Sequence, residues 1–196
     1  MKGKIVFVSL ALFIHAGCDM NQPPEGKIQT EPTKTKDTIM NKKKLTETKN
    51  MNMKKESFTY SFKSSKTPGA VFELLLDIEQ WWSGLYEETI KGKSHKLNDE
   101  FSFEAGSGIH YSKQKLIELV PDKRIVWLVT TSRLNFLSDP GEWTNTKICF
   151  DISKEKDKDK TLVTFTHDGL TPRIECYNNC SGAWTGYLTK LKEKLK

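Results

Sequence analysis

The chain has 196 residues, 36% of them hydrophobic and 29% charged, which fits one ordinary globular domain and excludes a disordered chain. Four cysteines are too few for a disulfide-dense mini-scaffold. The net charge of +6 invites a nucleic-acid reading, but residues 57–196 hold twenty basic and nineteen acidic side chains, so the excess lies in the first 56 residues and no nucleic-acid partner is expected.

The chain opens with Lys2 and Lys4, the ten-residue apolar run from Ile5 to Ile14, and the small pair Ala16-Gly17 before Cys18. That run is half of the roughly 20 residues a spanning helix needs, and the order is that of a secretory signal. With cysteine following at once it resembles a bacterial lipoprotein signal. The resemblance implies cleavage after residue 17, a lipid on Cys18, and an exported protein held at a membrane. His15 stands where such signals carry an aliphatic residue; the alternative is an ordinary signal in which Cys18 carries no lipid. Residues 18–56 are rich in Lys, Thr and Asn and contain no aromatic residue, so they bury too little apolar area to offset their chain entropy and are expected to form a flexible tether. A start at Met51 or Met53 would give a cytoplasmic form without it.

From Ser57 the texture changes. Residues 57–63 alternate polar and aromatic side chains, the period of a half-buried strand. Thr67-Pro68 supplies a helix cap and a proline at the first helical position, opening a buried helix through Val71, Phe72 and Leu74 to Ile78. Strands then follow over residues 101–104, 109–120, 125–129, 143–152 and 162–167, separated by turn signals at Gly106-Ser107-Gly108, Pro121-Asp122 and Asp139-Pro140-Gly141. The charged stretch from Ser153 to Lys160 is a solvated hairpin loop. Cys180, Trp184, Tyr187, Leu188, Leu191 and Leu195 recur at the spacing of one helical face and define an amphipathic terminal helix. One strand, a buried helix, about six antiparallel strands in all and a long terminal helix make an α+β domain over residues 57–196.

Within it, Leu76-Asp77-Ile78-Glu79-Gln80-Trp81-Trp82, His110-Tyr111-Ser112, Glu118 to Trp127, Glu142-Trp143-Thr144, Thr164 to Leu170, and Glu175 to Cys180 with Ala183-Trp184 resemble, in that order, the SRPBCC (START/Bet v 1-like) superfamily. They are similar above all to the C-terminal domain of the activator of the ninety-kilodalton heat-shock protein ATPase. The resemblance implies a helix-grip fold, in which a curved antiparallel sheet wraps the C-terminal helix around a cavity. In many relatives that cavity holds an apolar molecule, so a small lipophilic ligand is the expected partner. Nothing in the pattern demands a dimer, and a monomer is expected.

The candidate cavity residues are Trp82, Trp127, Glu142, Trp143, His167, Cys176, Cys180 and Trp184. His167 shares strand parity with Val163 and Phe165 and should point inward, where Glu142 could pair with it to hold a polar head or move a proton; the alternative is a histidine satisfied near a strand end. Cys176 and Cys180, four apart, form either a thiol or disulfide site on the cavity or two small apolar fillers. One of Trp81 and Trp82 is expected in the core and the other near the rim. Cys149 alternates with the apolar residues of its strand and should face outward. His95, His110 and His167 lie at no zinc spacing, and no P-loop or dinucleotide glycine pattern occurs, so no metal or cofactor is expected. The rival readings are a cyclase- or hydrolase-like enzyme using His167 and Glu142, and a protein-interaction module resembling the heat-shock ATPase activator.

Overall fold

The computed structural model describes residues 39–45, 56–155 and 159–196. Cys18 and the signal lie outside the described residues. Within the segment read as a flexible tether, residues 39–45 are helical and exposed. Seven strands form one antiparallel sheet: β1 (Phe58–Ser64), β2 (Thr89–Gly92), β3 (Glu100–Ala105), β4 (His110–Val120), β5 (Arg124–Leu134), β6 (Lys147–Lys154) and β7 (Thr161–Asp168). Three helices complete the domain: α1 (Pro68–Leu76), α2 (Ile78–Trp81) and α3 (Tyr177–Lys194). Among the described residues no helix is long and apolar enough to cross a membrane.

The spatial order is β1-β7-β6-β5-β4-β3-β2. The chain lays down one edge, carries α1 and α2 across to the opposite edge, and returns as a meander of hairpins until β7 pairs with β1. The register of β4 against β5 slips at Lys113/Gln114 and at Leu116/Glu118. Such bulges sharpen twist and bend a strand pair, which lets the sheet curl over α3. The far end of α3 is tied to the end of β1, where Ser64 Oγ donates to the Leu195 carbonyl at 2.6 Å and the Ser65 N–H to the same oxygen at 3.2 Å.

Local sequence explains the element ends. Thr67 Oγ1 accepts the Ala70 N–H at 3.2 Å, and Pro68 occupies the first turn of α1. The helix expected to run on to Ile78 stops at Asp77, whose non-helical backbone separates α1 from α2. The break turns Trp81 and Trp82 together into the core, where each is 2% exposed and their rings stack at 5.7 Å. The expectation of one tryptophan at the rim is therefore corrected. All five tryptophans are buried in one cluster under the sheet. Cys149 does lie on the outer face, but its neighbours Arg124, Asp151 and Lys147 cover it and leave it 6% exposed.

Candidate functional site

Between α3 and the inner face of β3 and β4 lies a cavity of about 340 Å³. Trp82 and Phe103 stack at 4.4 Å to form its floor. Trp143 stacks on Trp184 at 5.9 Å along one wall, and Cys180, Ala183 and Tyr187 of α3 supply the other. Tyr86, Ile109 and Phe136 also line it and are 48%, 53% and 41% exposed, so they form an apolar mouth. No lysine, arginine, aspartate or glutamate lines it.

The tyrosine wall is held by charge from behind. Tyr187 donates its hydroxyl to Glu88, and the same carboxylate takes the backbone N–H groups of Gly84, Leu85 and Tyr86 at 2.6 to 2.9 Å. Burial alone raises the Glu88 pKa, but these hydrogen bonds outweigh it and hold the carboxyl at about 2. Glu88 thus fixes the turn that carries Tyr86 to the mouth.

Two histidines stand beside this space with opposite accounts. His167 is fully buried. Trp184 Nε1 only donates, so its 2.9 Å bond to His167 Nδ1 places the histidine proton on Nε2, which donates to Thr146 Oγ1 at 2.9 Å; the Thr146 hydroxyl then donates to the Trp143 carbonyl at 2.5 Å. Thr146 reaches this place because residue 169 is glycine: its φ is +105° and a Cβ there would lie 2.7 Å from Thr146 Cγ2. Burial and the neighbouring His110 push the His167 pKa down to about 3. His167 is a saturated neutral strut.

His110, at the start of β4, lines the cavity, and its Nε2 has no hydrogen-bond partner. Nε2 is sealed from solvent and unpaired, with the rings of Trp143 and Phe103 meeting the imidazole nearly perpendicularly at 4.7 and 5.3 Å. In the neutral imidazole one ring nitrogen carries the proton and the other is an acceptor. Burial pushes the His110 pKa down to about 4, so the ring is neutral at pH 7. Below it, Ser112 and Gln114 continue a polar column on the inner face of β4, with Gln114 Nε2 donating to Ser112 Oγ at 2.6 Å.

Of the eight residues singled out by sequence, Trp82, Trp143, Cys180 and Trp184 line the cavity, and Trp127, Glu142, His167 and Cys176 do not. Trp127 packs deeper in the core and donates Nε1 to Ser94 Oγ at 2.8 Å. The pairing of Glu142 with His167 is corrected: the Glu142 carboxylate accepts the N–H groups of Glu175 and Cys176 at 2.6 and 2.9 Å, capping α3 across a loop. Cys176 has no capping side chain of its own to offer, which is why an outside carboxylate serves. The two cysteines are joined as a disulfide with Cα atoms 5.6 Å apart, so the reading of two separate thiol fillers is also corrected. Trp143 Nε1 donates to Cys176 Sγ at 3.1 Å. Sequence reasoning missed His110, Phe103 and Tyr187 as cavity residues; strand parity with Leu116 was the available sign for His110, obscured because the residues between, Ser112 and Gln114, are polar.

A bulged antiparallel sheet gripping a terminal helix around an apolar cavity defines an SRPBCC helix-grip domain. More particularly, residues 65–196 match the family described as activator of Hsp90 ATPase homolog 1-like protein, and the chain belongs to that family. The solution structure of the Aha1 dimer from Colwellia psychrerythraea is similar at 21% identity and a TM-score of 0.55, covering 71% of this chain and 95% of that one. A crystal structure of a protein from Chromobacterium violaceum is similar at 20% identity and 0.51, over 71% and 96% of the two chains. A protein of Nitrosospira multiformis is similar at 14% and 0.56, again over 71% and 96%. No curated protein matches the sequence.

Proposed function

We propose that the domain binds one small, neutral, lipophilic molecule bearing a hydrogen-bond donor, with the His110 imidazole as its polar contact. The observation that carries this reading is an imidazole with an unpartnered ring nitrogen in the wall of a cavity whose lining is mostly aromatic and aliphatic, with the exposed Asn179 as its one amide side chain. Ligand sites are typically apolar pockets with a few placed polar groups, and this one is at the small end of their range of roughly 300–1,000 Å³. The uncharged lining disfavours anionic or cationic ligands, since a charge left unpaired there would cost far more than apolar contact returns. The proposal includes export and attachment to a membrane through lipidated Cys18. The order of the first eighteen residues supports this, and a disulfide in the folded domain agrees with an oxidising compartment.

The test compares naphthalene with 2-naphthol as probes. The hydroxyl is expected to improve binding about 5- to 15-fold, the worth of one hydrogen bond of about 1–1.5 kcal/mol. His110→Leu should abolish that preference while retaining naphthalene. Equal binding of both probes by the unaltered protein would exclude His110 as the contact, and binding of neither would exclude the cavity as a ligand site. For the anchor, a fatty-acid label is expected on the full chain and lost in Cys18→Ala.

A further inference from the structure

The disulfide is the one chemically reactive group in the cavity wall, and its two sulfurs are not equivalent. Cys180 lines the cavity, whereas Cys176 is 0% exposed and lies behind it. Cys176 occupies the N-cap position of the 18-residue helix α3 and receives the Trp143 indole N–H on its sulfur. Both features stabilise negative charge on Cys176: a helix N-terminus favours an anion, and a hydrogen bond from the indole favours the thiolate. The Glu142 carboxylate on the adjoining N–H groups opposes this and sets a limit to it. Burial of Cys176 opposes its charge as well, but the sulfur that would depart has an N–H donor and a helix N-terminus to receive that charge, while the residue on the cavity side is Cys180, which is the order that thiol–disulfide exchange requires.

We propose that Cys176–Cys180 is a reactive disulfide served by the cavity, with small apolar thiols as its reductants. The inference rests on the cavity admitting apolar molecules. An apolar thiol enters the cavity in its neutral form and gives up its proton to water at the open mouth as its sulfur attacks Cys180 Sγ; a new sulfur–sulfur bond forms as the Cys180–Cys176 bond breaks, and the electron pair leaves on Cys176 Sγ, which takes a proton from solvent. A second thiol molecule attacks the mixed disulfide, releasing a small disulfide and leaving both cysteines as thiols. Two thiols are oxidised and one protein disulfide is reduced. A hydrophilic charged thiol such as glutathione reacts slowly, because no cationic residue lines the cavity to compensate its carboxylates. Cys149 does not compete. Burial pushes its thiol up to about 11, and it lies on the opposite face of the sheet.

The experiment treats the oxidised full chain with thiophenol and, separately, with glutathione, and maps adducts by peptide mass spectrometry. Rates are compared per unit of thiolate. Binding of the neutral fluorescent probe N-phenyl-1-naphthylamine is measured on the same sample. With each rate divided by that of the same thiol on a small free disulfide, bis(2-hydroxyethyl) disulfide, thiophenol is expected to add first at Cys180, about tenfold or more faster than glutathione. Ala183→Phe, which fills the cavity, should bring the two rates together. An adduct at Cys176, equal rates for the two thiols, or no reaction of thiophenol while the probe binds would each overturn the inference and leave the ligand-binding reading standing. Failure of the probe to bind would overturn both.

Discussion

His167 and His110 show how two identical side chains on one sheet face divide the work. Both are neutral, His167 because its nitrogens are fully used and buried, His110 because burial alone disfavours its charge. In the unfolded chain each titrates near 6.5, whereas in the folded domain the values are about 3 and about 4. Between these limits the unfolded state binds more protons, so stability falls as pH falls below 6.5. The slope is up to about 1.4 kcal/mol per pH unit for each histidine. Glu88, held low, and the lowered carboxyls of Asp99 and Glu100 add their own loss as pH falls through about 4.5, so measurements from pH 7 to about 5.5 report chiefly the histidines. Urea midpoints are expected to drop steadily over that range, and His167→Gln should lower stability at pH 7 yet roughly halve the slope. A flat profile in the unaltered protein would mean that neither ring is held neutral. Strand parity correctly turned His167 inward, but its partners come from Trp184 and Thr146, 17 and 21 residues away, which no local pattern reveals.

At the scale of elements, the two carboxylates that matter to the site hold backbone N–H groups and touch no cavity space. Glu142 caps α3 and Glu88 pins the turn under Tyr86. Glu142→Ala is expected to cost about 1–2 kcal/mol in urea unfolding, the ordinary worth of an N-terminal cap, with Glu142→Gln recovering part of it. Glu88→Ala should expose the turn at residues 83–88 to limited proteolysis while the sheet remains protected, since the turn's hydrogen bonds converge on that one side chain. Helix α3, the cap of α1 and most strand positions were legible because they rest on periodicity and local turn chemistry. Strand β2 was not: it has four residues, one of them apolar, and owes its existence to pairing with β3. Residues 143–146, read as the start of β6, instead form a turn that places Trp143 over the cavity, with the Thr146 N–H donating to the Trp143 carbonyl at 3.0 Å. Trp143, Thr144 and Thr146 suit a strand, but Asn145 takes a positive φ of 69°, which turns the chain there.

The whole molecule is closed by a long-range choice: β1 pairs with β7, and α1 and α2 bridge to the far edge, so neither end of the domain can be removed without opening the sheet. The resemblance of ordered motifs conveyed this architecture, while composition alone reached only an α+β domain. The seven strands and three helices named above all lie within residues 57–196, and this segment is expected to be the folding unit. Glu56 pairs with Arg173 at 2.9 Å, but both side chains are solvent-exposed, and such a pair is worth about 0–1 kcal/mol. A protein comprising residues 57–196 should therefore unfold in urea in one transition, with a free energy within about 1 kcal/mol of the full chain's. Its denaturant slope should also match, because the slope follows the surface exposed on unfolding and that surface belongs to the sheet and helices. A loss of several kcal/mol or a shallower slope in the shorter protein would show that the first 56 residues pack against the domain, and would oblige any account of the cavity mouth to include them.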